Sequence, residues 1–339
     1  MKIRPNHQTL FLLLFFFSAV MISCGGTEKR PHYQADISGI KIEPVSIGRY
    51  EEVLFNLNPY ALKDEIEPYI DRYYVFLGEN IRTEQGRQQL FDYISDPQIR
   101  ELYLDTKEVW PDVTFLEKEL SEAFRYYHHH FPGEAIPRVF TYISGLDFQY
   151  PVKDYEDIIV IGLDMYLGKD YHLYPKVGVP SYQTFGMQPA FVSIDVMKLL
   201  GERKLQEMAA MPERFLDYMI YEGKILYFLD CMLPQHPDTL KMTYDQGQLK
   251  WLEANMGRAW SYFLENEMLY SSDRQIIIKF LGDAPFTAPF SRNAPPRTAA
   301  YIGWQIVRKY MERNQVKGLA GLFKENDAQK ILNQSGFRP

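Results

Sequence analysis

The sequence is poor in cysteine, with only Cys24 and Cys231 among its 339 residues. Two cysteines cannot build a disulfide framework or a cysteine-based zinc site, so the fold must rest on packing. Apolar residues make up 46% of the chain and aromatic residues 15%, which is enough for a dense core. Cys231 lies in the apolar string YFLDCMLP and is predicted to be a buried small hydrophobe rather than a nucleophile.

An excess of positive charge is also missing. The chain has 37 lysines and arginines against 44 aspartates and glutamates, a formal net charge of −7. It therefore lacks the broad positive field that attracts nucleic acids or anionic lipid surfaces. This balance excludes nucleic acid from the expected partners.

Long apolar runs are limited to one, Leu10 to Ile22 (LFLLLFFFSAVMI). At 13 residues it is too short to span a bilayer as a helix. Basic residues precede it at Lys2 and Arg4, a pattern typical of a bacterial signal peptide.

The apolar run ends in Met21-Ile22-Ser23-Cys24, which resembles a lipobox. The resemblance implies cleavage after Ser23 and lipidation at Cys24. A failed signal anchor, or ordinary cleavage that leaves a free thiol, is the alternative. We therefore expect a signal peptide over residues 1–23, a lipidated tether over 24–38 and a single globular domain over 39–339. The residues just after Cys24 carry no acidic cluster of the kind associated with surface export, which favours the periplasmic face of the outer membrane.

The hydrophobic pattern predicts a mostly helical α+β fold with a small mixed sheet. The segment 40–55 alternates and then turns helical, and residues 58–131 have helical spacing. Two stretches rich in β-branched and aromatic residues, 137–145 and 157–168, are predicted strands. Helices are predicted within 189–232 and over 245–266, 273–281 and 298–314. The order shows no βαβ alternation, which favours α+β over α/β.

The common sequence signals of catalysis are missing. No two histidines are spaced i, i+4, and neither a G-x-S-x-G elbow nor a phosphate-binding G-x-x-x-x-G-K-[ST] loop occurs. His128, His129 and His130 are consecutive, so on a helix they point about 100° apart and cannot all bind one ion. We expect them to stabilise a helix C-terminus through the dipole, and we expect no metal and no cofactor.

Four strings together resemble the gliding-motility-associated lipoprotein family, GldB. They cover nearly all of the chain after the leader, in order. The resemblance implies a lipid-anchored extracytoplasmic protein tied to gliding motility and the linked type IX secretion machinery. It names a process and no reaction. The strings are FTYISGLDFQYPV (140–152), IGLDMYLGKDYHLYPKVGVPSY (161–182), YEGKILYFLDCMLP (221–234) and APPRTAAYIGWQIVRKYM (294–311).

A more distant similarity is to zinc-dependent peptidases of the gluzincin type, in the order sheet, active helix, glutamate helix and C-terminal helix. In such enzymes an H-E-x-x-H helix and a later Glu-Gly helix supply the zinc ligands. The counterparts here are Ile194 to Lys198 and Glu222-Gly223. Ile194 has no lone pair and Lys198 is a cation, so the similarity implies a zincin-like domain that has lost its metal motif, a pseudoenzyme.

Asp195, Lys198 and Glu222 are therefore the predicted polar residues of the former cleft. An unpaired buried Glu222 is costly, so we expect the Lys198 ammonium to stand where the metal charge stood and to pair with Glu222. The alternative is that Lys198 ends an amphipathic helix and points to water.

The segment 171–189 is dense in tyrosine and proline with little charge, a composition suited to recognition. Tyr166, Tyr171, Tyr174 and Tyr182 are predicted to line a groove along an edge strand, with which an extended peptide pairs. Alternatively, these tyrosines cap the core.

Two classes of function remain open from the sequence. The first is a non-catalytic interaction module that binds an envelope protein of the motility or secretion apparatus through the former cleft. The second is an enzyme, a zinc-dependent peptidase or another hydrolase with an unrecognised site. A purely structural envelope protein is a third alternative.

Overall fold

The computed structural model describes residues 33–314 and 318–339. The predicted signal peptide, the lipobox and Cys24 lie outside the described residues. Within them, no helix has both the length and the apolar character needed to cross a membrane.

The N-terminal part of the described chain is mostly helical, as predicted. Asp96 begins one of its helices by accepting hydrogen bonds from the backbone N–H groups of Gln98 and Ile99, with Pro97 in the first helical position. These helices are α1 (Tyr50–Leu54), α2 (Leu62–Glu65), α3 (Tyr74–Leu77), α4 (Glu84–Ser95), α5 (Pro97–Val109) and α6 (Thr114–His130), with a 3-10 turn between each two successive helices from α1 to α4.

A four-stranded mixed sheet lies at the centre, with the strand order β1-β2-β4-β3. The pairs β1/β2 and β2/β4 are parallel, and β3 runs antiparallel to β4. The interior strand β4 reads IIVIG, an apolar run typical of a strand covered on both faces. The predictions of β2 and β4 are confirmed, whereas β3 (VKDY) is polar and carries no such signal. The strands are β1 (Ile47–Arg49), β2 (Arg138–Tyr142), β3 (Val152–Tyr155) and β4 (Ile158–Gly162).

The C-terminal part is again helical, and every predicted helical segment is confirmed. Asp245 accepts from the backbone N–H of Gln248, whose side chain accepts from the N–H of Asp245, so a reciprocal capping box begins the longest of these helices. The helices are α7 (Val192–Met208), α8 (Phe215–Met232), α9 (Asp238–Met242), α10 (Gln246–Glu265), α11 (Arg274–Leu281), α12 (Thr298–Arg313), α13 (Gly318–Lys324) and α14 (Ala328–Ser335).

Helices α8 and α12 cross at backbone contact. A Cβ atom added to Gly303 would lie 1.9 Å from the carbonyl oxygen of Met219, and one added to Gly223 would lie 2.5 Å from the carbonyl of Gly303. Only glycine permits so close a crossing. Gly223, which follows the predicted cleft residue Glu222, is therefore required for packing.

A buried ion-pair network joins α8, α9 and α12. The carboxylate of Asp230 accepts hydrogen bonds from Lys241 Nζ at 2.8 Å, from Trp304 Nε1 at 2.8 Å and from two guanidinium nitrogens of Arg308 at 2.7 Å. Arg308 also binds both oxygens of the half-exposed Asp238. The side chains of Asp230 and Lys241 are 0% and 1% exposed, so each charge depends on its partners rather than on water.

Packing begins within the predicted tether. The guanidinium of Arg308 lies 5.8 Å from the ring centroid of Tyr33, and Arg125 donates to the carbonyl oxygen of Ile37 at 2.6 Å. The core of buried apolar residues extends from Ile37 to Phe337. Thus the chain is held against the body from residue 33, inside the predicted tether range 24–38.

The predicted burial of Cys231 is confirmed, since its side chain lies in this core. The histidine triplet does end α6, but the dipole role is wrong for His130. Burial, with a smaller effect from His129, lowers the pKa of His130 to about 4, so this imidazole is neutral near pH 7 and cannot offer its charge to the helix C-terminus.

Candidate functional site

A cleft of about 520 Å³ opens beside the sheet, between the segment that leads into β3 and the starts of α7 and α12. Two of the three predicted cleft residues, Asp195 and Lys198, line it. They stand three positions apart on α7 and so share one face of the helix. The cleft is also lined by Tyr150, Tyr166, Tyr182, Thr243, Asp283 and Arg297.

Asp195 is a titratable residue that lines the cleft. Its Oδ2 accepts a hydrogen bond from the hydroxyl of Tyr166 at 2.7 Å. Burial raises the pKa of Asp195 to about 6, an effect that the Tyr166 bond and the charge of Lys198 partly oppose. The cleft therefore contains a carboxyl group that gains or loses a proton close to neutral pH.

The predicted ion pair between Lys198 and Glu222 is wrong. Lys198 Nζ lies 3.8 Å from Glu202 one turn along α7, and the Lys198 side chain is 38% exposed. Glu222 on α8 instead binds Arg297, with Oε2 3.3 Å from Nη2. The reason is the crossing of α8 and α12, which brings the start of α12 to Glu222.

Arg297 is a site residue that the sequence reasoning missed. Its side chain is 11% exposed and also lies 3.9 Å from Asp283. Its backbone is left-handed, with φ 56°, and Thr243 on the same cleft has φ 58°. For residues other than glycine, a left-handed backbone costs of order 1 kcal/mol of free energy. Such residues occur more often at functional sites than elsewhere. A lone arginine between Pro-Pro and an apolar helix was the signal that could have indicated it.

Two of the four predicted partner-binding tyrosines, Tyr171 and Tyr174, do not line the cleft, and Tyr166 lines it only as a buried residue. Tyr166 and Tyr174 are buried, and the Tyr174 hydroxyl donates to the carbonyl oxygen of Asp164. Tyr171 is partly buried and donates to Asp105 at 2.6 Å. For Tyr171 and Tyr174 the alternative that they cap the core fits the structure, whereas Tyr166 is buried beside the cleft and donates to Asp195.

Exposed aromatic surface nevertheless borders the cleft. Tyr182 is 37% exposed and lines the cleft, as predicted for a recognition residue. Tyr150, which the sequence reasoning did not single out, is 62% exposed and lines it from the side of β3. Tyrosines of this kind are typical of protein-binding surfaces.

The residues at the presumed metal positions do not fit a zinc ion. Ile194 is buried and purely apolar, and Lys198 carries a positive charge. Among residues 33–314 and 318–339, no group of three or more histidine, cysteine, aspartate or glutamate side chains is arranged to hold a metal. Zinc requires three or four such donors, so the residues of this cleft do not support zinc chemistry.

We expect Asp195→Asn to raise the free energy of unfolding at pH 7.5 by about 1 to 2 kcal/mol. The folded carboxyl has a pKa near 6 against an ordinary value of 3.8, so between these values the unfolded chain releases a proton that the folded chain keeps. Wild-type stability therefore falls as pH rises through this window, and the cost is complete above it. The magnitude is discounted for the partial exposure of the group.

The gain should be small at about pH 4 and disappear below about pH 3, where Asp195 is protonated in both states. Urea unfolding of the protein without its leader, from about pH 4 to pH 7.5, measures this difference. The matched control is Asp92→Asn, the same change on the exposed face of α4. Equal effects of the two substitutions, or a gain at pH 4 as large as at pH 7.5, would contradict the assignment.

A scan against protein-family models matches residues 30–339 to the model described as gliding motility protein GldB. The match covers almost the whole chain beyond the predicted signal peptide. A search of curated proteins and a search of solved structures each return no match. The similarity to gluzincin peptidases thus stays a prediction.

Proposed function

Because the chain belongs to the gliding motility protein GldB family of lipoproteins, we propose that it acts in the cell envelope as a non-catalytic protein-interaction module of the motility and type IX secretion machinery. The cleft between β3, α7 and α12 is the proposed binding surface. Family membership makes the protein a gliding-motility-associated lipoprotein. The interaction role is our inference from the cleft.

The observation that carries the proposal is how the cleft is built. Arg297 pairs with Glu222 and Lys198 with Glu202, so the positions where a peptidase would hold its metal contain ion pairs and an isoleucine. Exposed Tyr150 and Tyr182 border this cleft. Paired charges with an aromatic border suit recognition better than hydrolysis, which needs an activated nucleophile or water.

The anchor proposed at Cys24 limits where the cleft can act. Tyr33 is the first described residue and packs beside Arg308, so nine positions, 24–32, separate it from the proposed anchor. Nine residues can span at most about 30 Å, which limits the distance between the body and the membrane. We propose that lipidated Cys24 holds it at the outer membrane, on the periplasmic side, where it meets an envelope partner.

A hydrolase is the second candidate, and one observation favours it. Asp195 has a pKa near 6 in a cleft, which is the property expected of a general acid or base. Its hydrogen-bond partner Tyr166 is buried and has its own pKa raised, so it does not supply a nucleophile near neutral pH. Turnover would therefore need a group outside the pair.

We expect a Tyr150→Ser, Tyr182→Ser double variant to reduce gliding speed and type IX secretion at least tenfold. The variant removes the aromatic border of the cleft, where a few such residues dominate binding energy. The measurement is complementation of a deletion strain of a gliding bacterium with the full-length lipoprotein. Protein level and thermal stability should stay near wild type, since both side chains are exposed.

The control is Tyr270→Ser, because Tyr270 is 59% exposed and lies outside the cleft. Equal motility of the double variant and this control would contradict the proposed binding surface. Stoichiometric zinc in the purified protein, or unfolding in chelator, would support the peptidase alternative instead.

A further inference from the structure

We propose that the occupant of the cleft is an extended basic segment of the partner protein. It adds a strand to the free edge of β3 and places a lysine or arginine side chain against Asp195. This inference rests on the proposed function and adds the conformation and charge of the partner.

The backbone of β3 has one side without a partner strand in the described part of the chain. In the described part of the chain, β3 is an outermost strand that pairs with β4 alone. The N–H of Gly162 donates to the carbonyl oxygen of Pro151, which sets the antiparallel alternation. The backbone groups of Val152 and Asp154 then point away from β4. An edge of this kind accepts an added strand.

The edge of β3 is continuous with the cleft. Residues 148–151, which lead directly into β3, line the cleft together with Asp195. A strand added along β3 therefore continues into the cleft. Tyr150 and Tyr155, 62% and 50% exposed, stand at the two ends of the edge and offer apolar surface to the incoming segment.

The charged side chains of the cleft favour a cationic partner. Two acidic and two basic side chains line the cleft, and the carboxylates of Glu202 and Glu222 beside it pair with the two cations, so the group of six has an excess of two acidic side chains. Both cations already have carboxylate partners, whereas the hydrogen bond to Asp195 comes from a neutral hydroxyl. A cationic side chain of the partner complements this charge, and an acidic segment is repelled by it. The six residues are Asp195, Glu202, Glu222, Asp283, Lys198 and Arg297.

Site-specific photocrosslinking in native envelopes tests the inference on the full-length lipidated protein. Benzoylphenylalanine replaces Tyr150, Tyr155 or Tyr182 in turn, and mass spectrometry maps the partner residue in each adduct. We expect adducts from positions 150 and 155 to fall on one partner segment about five residues apart, because paired strands advance together at about 3.3 Å per residue. A lysine or arginine should lie within that segment.

Adding Asp195→Asn to the crosslinker at position 150 should lower the adduct yield about tenfold, since it removes the charge that the partner cation meets. Asp92→Asn, on the exposed face of α4, should leave the yield unchanged.

The outcomes separate the two proposals. Adducts that map to a segment without a basic residue or to scattered segments, or equal yields in the two Asp→Asn variants, would overturn the extended basic partner while leaving the cleft as a binding surface. Failure to form an adduct at all three positions would contradict the proposed function itself.

Discussion

Asp230→Asn is expected to lower the free energy of unfolding by about 3 to 5 kcal/mol, the usual cost of breaking a buried ion pair from one side. The Asp230 carboxylate is fully buried and accepts four hydrogen bonds, from Lys241, Trp304 and Arg308. Asparagine has nearly the same shape but no charge. Lys241, itself 1% exposed, would then carry an uncompensated charge in the core.

Asp238→Asn is the matched control for this substitution. Asp238 binds the same guanidinium but is 31% exposed, and Arg308 would keep both of its bonds to Asp230. A loss of no more than about 1 kcal/mol is expected for this more exposed pair. A double variant, Asp230→Asn with Lys241→Met, should recover part of the loss because it removes the stranded charge. Equal losses for Asp230→Asn and Asp238→Asn in urea unfolding would show that the network does not behave as a buried one.

Gly303→Ala is expected to cost about 3 kcal/mol or more, above the ordinary range for one extra methyl group in a core. The added Cβ would lie 1.9 Å from the carbonyl oxygen of Met219, which is backbone and cannot rotate away. Helices α8 and α12 must therefore move apart. The gain of up to about 1 kcal/mol from replacing glycine in a helix does not offset this cost.

Gly257→Ala in α10 provides the contrast for Gly303→Ala. Its nearest heavy atom would be the carbonyl oxygen of Pro339 at 3.7 Å, an ordinary contact, so this variant should be neutral or slightly stabilised. Thermal unfolding distinguishes the two, with a decrease in Tm of roughly 6 to 12 °C expected for Gly303→Ala. If both glycines tolerate alanine equally, the close crossing is wrong.

The same crossing connects stability to the cleft. Glu222 precedes Gly223 on α8, and Arg297 lies just before α12, so the separation of the two helices determines whether their charges meet. Gly303→Ala is therefore expected to disturb the proposed binding surface as well as the core. Asp230→Asn acts near the C-terminal end of α8, about two turns from Glu222.

Short-range sequence patterns were sufficient to predict much of the secondary structure. The interior strands β2 and β4 and the C-terminal helices α7, α8, α10, α11 and α12 follow from side-chain periodicity, which a short window of sequence contains. The short helices α9, α13 and α14 were not predicted. The strand β3 could not be predicted in this way because it is polar. Its Lys153 and Asp154 pair with Asp147 and Arg203, which suits an edge strand but gives no apolar alternation.

The sequence by itself determined the α+β class, the family, and the placement of Asp195 and Lys198 on one helical face, whereas the leader with its lipobox stays a prediction. Only the tertiary structure decided that Glu222 pairs with Arg297, 75 positions later, and that Tyr166 and Tyr174 are buried while Tyr150 is exposed. The physical reason is the distance along the sequence over which each effect acts. Periodicity and capping act within a few residues, whereas the partner of a buried charge depends on how closely two distant helices cross, and here two glycines determine that distance.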